Sequence, residues 1–129
     1  MHNSRRLMVW QKAHAVTIEI EQLLDRIPRR HNVDLIDQIR RAAVSVPANI
    51  VLGSGRTSDR DFARHLEIAL ASAGETEYHL QLAADTKKIP REEFVARQAD
   101  LVEVRKMLVG LIRKLNPAAV QSVSVRLRK

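Results

Sequence analysis

The sequence predicts an all-α protein, an antiparallel up-down-up-down four-helix bundle. Gly and Pro are scarce, with four of each in 129 residues, and aromatic residues make up only 3%, so aliphatic and alanine side chains have to fill the core. Apolar residues recur at helical spacing in four successive segments. The breakers that separate the segments are Pro28, the Gly53/Gly55 pair, Pro90 and Asn116-Pro117.

The first predicted helix precedes Pro28. Its apolar residues recur every three or four positions and are Leu7, Trp10, Ala13, Val16, Ile20, Leu23, Leu24 and Ile27. Ser4 is a candidate N-cap, because a serine hydroxyl accepts a hydrogen bond from a free N–H of the first turn. Pro28 ends the run, since its ring cannot continue a helix.

The second predicted helix contains a proline. Its apolar residues are Val33, Ile36, Ile39, Ala42, Ala43, Val46 and Ile50. Pro47 lacks the N–H that would bond to the carbonyl of Ala43, so we expect a kink or a local break that costs roughly 3 kcal/mol unless packing offsets it. The hydroxyl of Ser45 could serve a freed backbone group. Gly53 and Gly55 are expected to adopt the left-handed backbone conformation that stops a helix.

The third and fourth helices have recognisable starts. Ser58 is predicted to cap the third helix, with Asp61 three residues later, and the apolar stripe is Phe62, Leu66, Ala69, Ala73, Leu80 and Ala83. The fourth opens at Pro90, and Glu92 and Glu93 complement the helix dipole. Its stripe is Phe94, Leu101, Val104, Leu108, Leu111 and Leu115. Short connections make consecutive helices antiparallel neighbours.

One domain is predicted for residues 1–116, followed by a basic C-terminal tail at 117–129. The length is that of one ordinary domain. In the tail, Val123, Val125 and Leu127 alternate with polar residues at the period of a strand, but one strand has no partner in a helical bundle. We therefore expect the tail to be flexible, with ordering on a neighbouring subunit or on a polyanion as the alternative.

Composition excludes several functions. The absence of cysteine excludes disulfides, thiolate metal sites and thiol catalysis. No apolar stretch approaches the ~20 residues of a membrane span and no signal-peptide pattern is present, so we expect a cytoplasmic protein without membrane association. The Glu-x-x-His pairs of di-metal bundles, a phosphate-binding loop and an activated nucleophile are all missing. We expect no enzymatic activity, no cofactor and no metal.

A formal charge of +7 indicates polyanions as partners. Arg56, Arg60 and Arg64 follow one another at intervals of four, on one helix face. The N–H groups that begin the third helix, with the hydroxyls of Ser54, Thr57 and Ser58, could converge on an anion there; helix caps beside solvated arginines are the alternative. The candidate phosphate contacts are Arg5, Arg6, Lys12, Arg56, Arg60, Arg64, Arg126 and Arg128.

A second basic pair, Arg40 and Arg41, has competing partners. Asp37 lies one turn before Arg41 on the same helix. Folding the second and third helices into a hairpin places Glu67 about one turn from Arg41. Ion pairs within the bundle therefore compete with phosphate contacts at these two arginines.

Two helices carry more apolar surface than one core-facing stripe requires. The fourth has a second row, Val95, Val102 and Val109, and the third adds Ile68 and Leu82 beside its main stripe. Broader packing inside one subunit is one explanation. A repeated extra row favours self-association, and we expect a homo-oligomer with these residues as candidate interface.

Four stretches resemble the four-helix-bundle family named after the 23S rRNA intervening-sequence protein. They are "VWQKA" at 9–13, "QIRRAAVSVPANI" at 38–50, "GSGRTSDRDF" at 53–62 and "GETEYHL" at 74–80, and the likeness runs from about residue 6 to 116. The matching positions are Trp10, Gln11, Lys12, Arg40, Arg41, Pro47, Asn49, Gly53, Gly55, Arg56, Ser58, Phe62, Glu75 and Glu77. Val51 and Leu52 stand where the family commonly has a small residue and an acid, so a role of that carboxylate does not carry over.

This family is also similar to the accessory variability protein of diversity-generating retroelements, a basic ring of five bundles that binds nucleic acid and a reverse transcriptase. The resemblance implies a homopentamer and binding of RNA or DNA through basic residues. It does not imply ribosome membership, since the family name records where a reading frame was found. The predicted function is a non-enzymatic oligomeric adaptor that binds nucleic acid; the alternative is a protein-protein interaction scaffold without nucleic-acid binding.

Overall fold

The structure, a computed structural model, describes residues 3–56 and 58–119, with side chains from residue 8 to residue 118. The described helices are α1 (Asn3–Leu24), α2 (Val33–Ser54), α3 (Asp59–Asp85) and α4 (Arg91–Leu115), followed by a 3-10 turn at Pro117–Ala119. Each helix packs against its neighbours in sequence, and α1 also packs against α4. This arrangement confirms the predicted antiparallel four-helix bundle.

The core lies along the bundle axis and is built from the four apolar stripes. Ile20, Ile39, Leu66, Leu80 and Leu108 are among its largest fully buried side chains, one or two from each helix. Burying a side chain of this size contributes about 1.5–3 kcal/mol. The predicted stripes therefore supply the packing that holds the helices together.

The α2 helix runs through Pro47 without a break. Pro47 is buried, and the carbonyl oxygen of Ala43, which Pro47 cannot serve, accepts a hydrogen bond from the hydroxyl of Thr17 at 3.4 Å. The same hydroxyl donates to the carbonyl of Ala13 at 2.8 Å. Ser45, the donor expected from the sequence, bonds side chains instead. Thr17 on α1 therefore offers a long, shared hydrogen bond to the carbonyl that Pro47 leaves without its helical donor.

The prediction of left-handed glycines between α2 and α3 is wrong. Gly53 lies inside the last turn of α2, Gly55 has φ −87°, and no described glycine has a positive φ. Close helix packing explains Gly53 instead. A Cβ at this position would lie 2.7 Å from the Cβ of His65 and 2.7 Å from Cδ1 of Phe62. Glycine is needed here because α3 approaches α2 too closely for any side chain.

Two helix starts agree with the sequence and one does not. The Oγ of Ser58 accepts a hydrogen bond from the N–H of Asp61 at 3.1 Å, which confirms the cap on α3. Pro90 immediately precedes α4, with two glutamates in the first turn as expected. Ser4 lies inside α1, which begins at Asn3, so it is not the N-cap.

The predicted tail is described only in its first residues. Pro117–Ala119 form the 3-10 turn, which packs against α4. The rest of the tail, including the candidate contacts Arg126 and Arg128, lies outside the described residues. In the described part of the chain, no helix combines the length and the apolar character needed to cross a bilayer.

Candidate nucleic-acid interface

Positive charge is concentrated in the first and last parts of the chain. Residues 1–12 and 105–129 contain 10 of the 22 Lys and Arg residues and none of the 15 Asp and Glu residues. Residues 13–104 contain the other 12 basic residues and all 15 acidic ones. The net charge of +7 therefore comes from the two terminal parts, while the middle of the chain is slightly acidic.

The bundle places the start of α1 and the end of α4 at the same end, because these two helices are antiparallel. Three ion pairs between these helices show the direction: Lys12–Glu103, Glu19–Arg97 and Arg26–Glu93. The start of α1 therefore lies beside the end of α4, and the connection from α2 to α3 is at this end too. We call this surface the basic end and define it by Arg56, Arg60, Arg64, Arg113 and Lys114.

Two arginines of the basic end border a shallow depression between α3 and the residue that follows α4. Its lining includes Arg60, Arg64 and Asn116, together with the carboxylates of Asp61 and Glu67. Asn116 directly follows the last turn of α4, which carries two basic residues and no acidic one. All five basic-end residues are exposed, and none forms an ion pair within 4.0 Å with another described residue.

The other predicted phosphate contacts differ in their availability. Arg5 and Arg6 belong to the beginning of α1, at the basic end. Lys12 forms ion pairs with Asp100 at 3.8 Å and Glu103 at 3.2 Å, so part of its charge is neutralised within the bundle. Lys12 is therefore a weaker candidate than the arginines of α3.

One of the hydroxyls expected to cradle an anion serves the local backbone instead. Ser54 donates to the carbonyl of Val51 at 2.8 Å. The Oγ of Ser58 accepts its capping bond, so its O–H remains a donor, and Thr57 lies outside the described residues. Asp59 and Asp61 add negative charge to the first turn of α3, which opposes an anion there. The arginine side chains are therefore stronger candidates than the hydroxyls of the helix start.

Arg113 and Lys114 were missed by sequence reasoning. Two basic residues in the last turn of a helix are expected for the helix dipole alone, so their pattern carries no functional signal. Only the antiparallel packing of α4 against α3 brings the last turn of α4 to the end of the bundle where α3 begins.

A chain of hydrogen bonds connects Arg56 to the α2–α3 interface. The Nε of Arg56 donates to Nε2 of His65 at 3.3 Å, so the proton of the neutral ring is on Nδ1, which donates to Oδ1 of Asn49 at 3.1 Å. The Nδ2 of Asn49 donates to the carbonyl oxygen and to the Oγ of Ser45, at 2.9 and 3.0 Å. That Oγ lies 2.8 Å from the Oγ of Ser72. Asn49 and Arg56, both matched to the family motif, thus share one network.

His65 is held in its neutral form by its surroundings. It is 7% exposed, and burial is the largest cause that lowers its pKa below the ordinary 6.5. The positive charges of Arg56 and Arg64 lower this pKa further, while Asp61 acts in the opposite direction. A neutral ring is the form that can accept the hydrogen bond from Arg56.

Arg40 and Arg41 have different surroundings although they are adjacent. The Nε of Arg40 lies 2.8 Å from a carboxylate oxygen of Glu21, and its guanidinium is 3.9 Å from Asp37. The hydrogen bond to Glu21 is the largest cause that raises the pKa of Arg40. Arg41 is exposed and forms no ion pair with a described residue, so the expected approach of Glu67 is not observed. Ion pairing within the bundle is confirmed for Arg40 alone.

The two motif glutamates of α3 also differ. Glu77 accepts two hydrogen bonds from the guanidinium of Arg105, at 2.5 and 3.1 Å, and its side chain is only 11% exposed. Glu75 is exposed and lies 3.4 Å from Nε2 of His79. Among the described residues, no group of three or more His, Asp or Glu side chains is arranged to hold a metal ion.

Exposed apolar residues lie on α2 and α3 more than on α4. Val109 is 8% exposed and part of the core, so the expected outer row of valines does not extend beyond half-buried Val102. Val95 remains exposed, as do Ile68 and Leu82.

A further exposed residue, Leu52, lies on α2, where it is 56% exposed. The bond between Ser45 and Ser72 marks the seam between α2 and α3. Leu52 follows Ser45 by two helical turns and Ile68 precedes Ser72 by about one, so both flank this seam. We call Leu52, Ile68 and Leu82 the outer face.

Comparisons with known proteins agree with this architecture. The model of the 23S rRNA-intervening sequence protein family matches residues 5–110, nearly all of the bundle. The chain is also similar to a solved structure from Bacteroides thetaiotaomicron VPI-5482, a protein with unknown function from the S23 ribosomal protein family. The two share 31% identity with a TM-score of 0.79, over 84% of this chain and 98% of that one. No curated protein matches the sequence. The family match, together with this likeness, shows that the chain belongs to the 23S rRNA-intervening sequence protein family.

Proposed function

We propose that the protein is a non-enzymatic oligomeric adaptor that binds nucleic acid through its basic end. The observation that carries the proposal is the cluster of five exposed basic side chains that have no carboxylate partner among the described residues. Arginine in this state keeps its donors for phosphate oxygens, and it forms bidentate bonds with them. Such contacts supply affinity without sequence preference.

The aromatic residues favour contacts to phosphates over contacts to bases. The chain has one Trp, one Tyr and two Phe. Both phenylalanines are buried, and Trp10 is half-buried and stacks on His14 with ring centroids 4.7 Å apart. Single-strand binders stack bases on exposed aromatic rings, and Tyr78 alone is exposed in the described part of the chain. Duplex is therefore the expected ligand.

Self-association would bring several basic ends into one particle. The outer face is an apolar surface of the kind that subunit contacts bury. Five is the expected subunit number because of the resemblance to the accessory variability protein, and a ring of five would multiply the charge of +7 per chain. The affinity for a polyanion would then exceed that of one subunit.

Neutralisation of the basic end tests the proposed function. We expect Arg60→Gln/Arg64→Gln to weaken binding of a 30-base-pair duplex about tenfold or more at low salt, and to reduce the salt slope by about one for each lost phosphate contact. Fluorescence anisotropy with labelled DNA and RNA duplexes at two salt concentrations measures both effects. The matched control is Arg29→Gln/Arg30→Gln, two exposed arginines in the connection at the opposite end. An equal loss in the control would contradict the assignment to the basic end, and a wild-type protein that binds no duplex at low salt would contradict the function.

A protein-interaction scaffold is the second candidate, and the exposed outer face favours it. Ile68 and Leu82 can meet a different protein as well as another copy of this chain. Capture of one acidic protein that persists after nuclease treatment, with no retention of duplex, would select the scaffold.

A further inference from the structure

We propose that His65 is a positioning residue that couples proton uptake to anion binding at Arg56. The inference rests on the proposed function, because Arg56 belongs to the basic end. In this proposal His65, a buried residue, affects how strongly the exposed Arg56 binds a phosphate.

The hydrogen bonds around His65 determine how Arg56 is presented. The Nε of Arg56 is bonded to the ring, which leaves both terminal nitrogens of the guanidinium for an anion. The ring itself is oriented from the other side by Asn49, which is anchored on Ser45. Neutral His65 therefore holds the arginine in one orientation without using the donors that a phosphate needs.

Protonation of His65 changes this arrangement. A charged imidazole has two donors and no acceptor, so it cannot accept from Arg56, and it places a second positive charge close to the guanidinium. The charged groups that act on His65 are Arg56 in the connection and Arg64 and Asp61 on α3, while α2 presents the neutral Asn49. Two cations outweigh one carboxylate, and burial adds to their effect.

A bound phosphate would reverse part of this repulsion. Negative charge at Arg56 offsets the positive charge of the arginines and raises the pKa of His65 relative to the free protein. The phosphate also takes over the orientation of Arg56 that the neutral ring provides in the free protein, so the charge effect sets the sign of the coupling. Because linkage is reciprocal, proton uptake by His65 increases the affinity for the phosphate by the same factor. Affinity should therefore rise as the pH falls below the ordinary histidine value of 6.5.

Protonation of His65 also makes the stability of the fold depend on pH, in a direction that the lowered pKa determines. The pKa of His65 is lower in the folded than in the unfolded chain, so its neutral form stabilises the fold fully above pH 6.5. This stability declines as the pH falls from 6.5 through the folded-state pKa, because the unfolded chain takes up the proton more readily. An anion at Arg56 should restore part of the loss.

The first test observes the ring directly with inorganic pyrophosphate as the probe. NMR titration of the full chain at constant ionic strength should give a His65 pKa below 6.5, and pyrophosphate should raise it. In Arg56→Gln the pKa should be higher without the anion and should no longer respond to it, while Arg56→Lys should recover part of the response. The ring of His14, exposed on α1, serves as the internal control. A His65 pKa that pyrophosphate leaves unchanged, or moves equally in Arg56→Gln, overturns the inference.

The second test separates this inference from the proposed function. Duplex affinity is measured at pH 7.5 and pH 5.5 for the wild type and for His65→Gln, which keeps an acceptor for Arg56 but cannot be protonated. We expect the acid pH to increase wild-type affinity at least threefold more than that of the variant. Equal pH dependence in both proteins overturns the inference and leaves the function intact. No duplex binding at either pH, with a His65 pKa that still responds to pyrophosphate, overturns the function and supports the inference.

Discussion

Several residues of the family motif are explained by how α2 and α3 meet near the basic end. Gly53 lets the Cβ of His65 and the ring of Phe62 come within 2.7 Å of where its own Cβ would be. Asn49 bonds the same histidine from the preceding turn. These residues pack α3 against α2 and bond the histidine that Arg56 contacts.

Substitution of Gly53 by alanine tests the close approach. The added Cβ would collide with the Cβ of His65, whose position the backbone of α3 fixes, so Gly53→Ala should destabilise the protein by roughly 1–3 kcal/mol. Urea unfolding followed by circular dichroism measures the change. The control is Gly74→Ala, also in a helix interior but with no atom within 4 Å of the added Cβ, which should stabilise by about 0.5–1 kcal/mol. If both variants gain stability, the contact at Gly53 is not tight.

The Glu77–Arg105 pair should contribute more to stability than the ion pairs on the surface. Its side chains are 11% and 22% exposed, so removing the carboxylate leaves a guanidinium poorly solvated and without its partner. We expect Glu77→Gln to lower the free energy of unfolding by on the order of 3 kcal/mol. Glu93→Gln, which breaks an ion pair with the largely exposed Arg26, should cost less than about 1 kcal/mol. Chemical denaturation compares the two, and equal costs would contradict the assigned difference in burial.

Among the helices, α2 depends on α1 at the point where its own hydrogen-bond ladder is interrupted. Pro47 leaves the carbonyl of Ala43 without its usual partner, and Thr17 on α1 supplies the bond. The hydroxyl has one proton, which it shares with the nearer carbonyl of Ala13 at 2.8 Å, so the contact offsets part of the cost of a buried carbonyl that lacks its helical donor.

A double-mutant cycle tests this coupling between helices. Thr17→Val keeps the size of the side chain and removes the donor, so it should destabilise the protein by about 1 kcal/mol. In a Pro47→Ala background, residue 47 regains an N–H for Ala43, and the cost of Thr17→Val should fall. Thermal and urea unfolding of the four proteins give the coupling energy. A cost that is identical in both backgrounds would show that Thr17 does not serve this carbonyl.

At the scale of the whole molecule, charge and apolar surface have separate locations. The five residues of the basic end lie where α2 meets α3 and where α4 ends, whereas the outer face runs along the side of α2 and α3. A ring formed through the sides of the bundles would leave their ends open. This separation would allow assembly and polyanion binding to occur together.

Leu52 provides the test of assembly. Because it is 56% exposed on the outer face, Leu52→Glu should introduce a charge into the subunit contact and shift the protein toward monomer, by light scattering and sedimentation. Val95→Glu is the matched control, since Val95 is 54% exposed but lies on α4. If Val95→Glu dissociates the oligomer and Leu52→Glu does not, the subunit interface lies on α4, as the row of valines predicts. A wild-type protein that is monomeric at all concentrations would contradict assembly.

Local sequence patterns predicted the four helices correctly, but they did not predict the backbone conformation of Gly53 and Gly55. The apolar stripes predict all four helices, and the Ser58 cap follows from spacing alone, because both are consequences of bonds within a few residues. The conformation of Gly53 was predicted wrongly because a glycine before a helix break usually signals a turn. Its actual cause is the approach of His65 and Phe62, two residues of another helix.

The candidate site was predicted only in part, because some of its residues come together only through packing between helices. Arg60 and Arg64 follow from their spacing on α3, whereas Arg56, which was predicted on the same helix face, lies in the connection before α3. Arg113 and Lys114 become part of the basic end only when α4 returns alongside α3, and the hydrogen bond from Arg56 to His65 has no signal in the sequence.

The sequence by itself determined the helices, their antiparallel order and the excess of positive charge, since these depend on composition and on contacts along the chain. The tertiary structure alone decided that the end of α4 lies beside the start of α3, that the hydroxyl of Thr17 approaches the carbonyl of Ala43 on α2, and that His65 accepts a hydrogen bond from Arg56. Each of these depends on which faces of two helices meet, and that is set by the packing of many side chains at once rather than by any single segment.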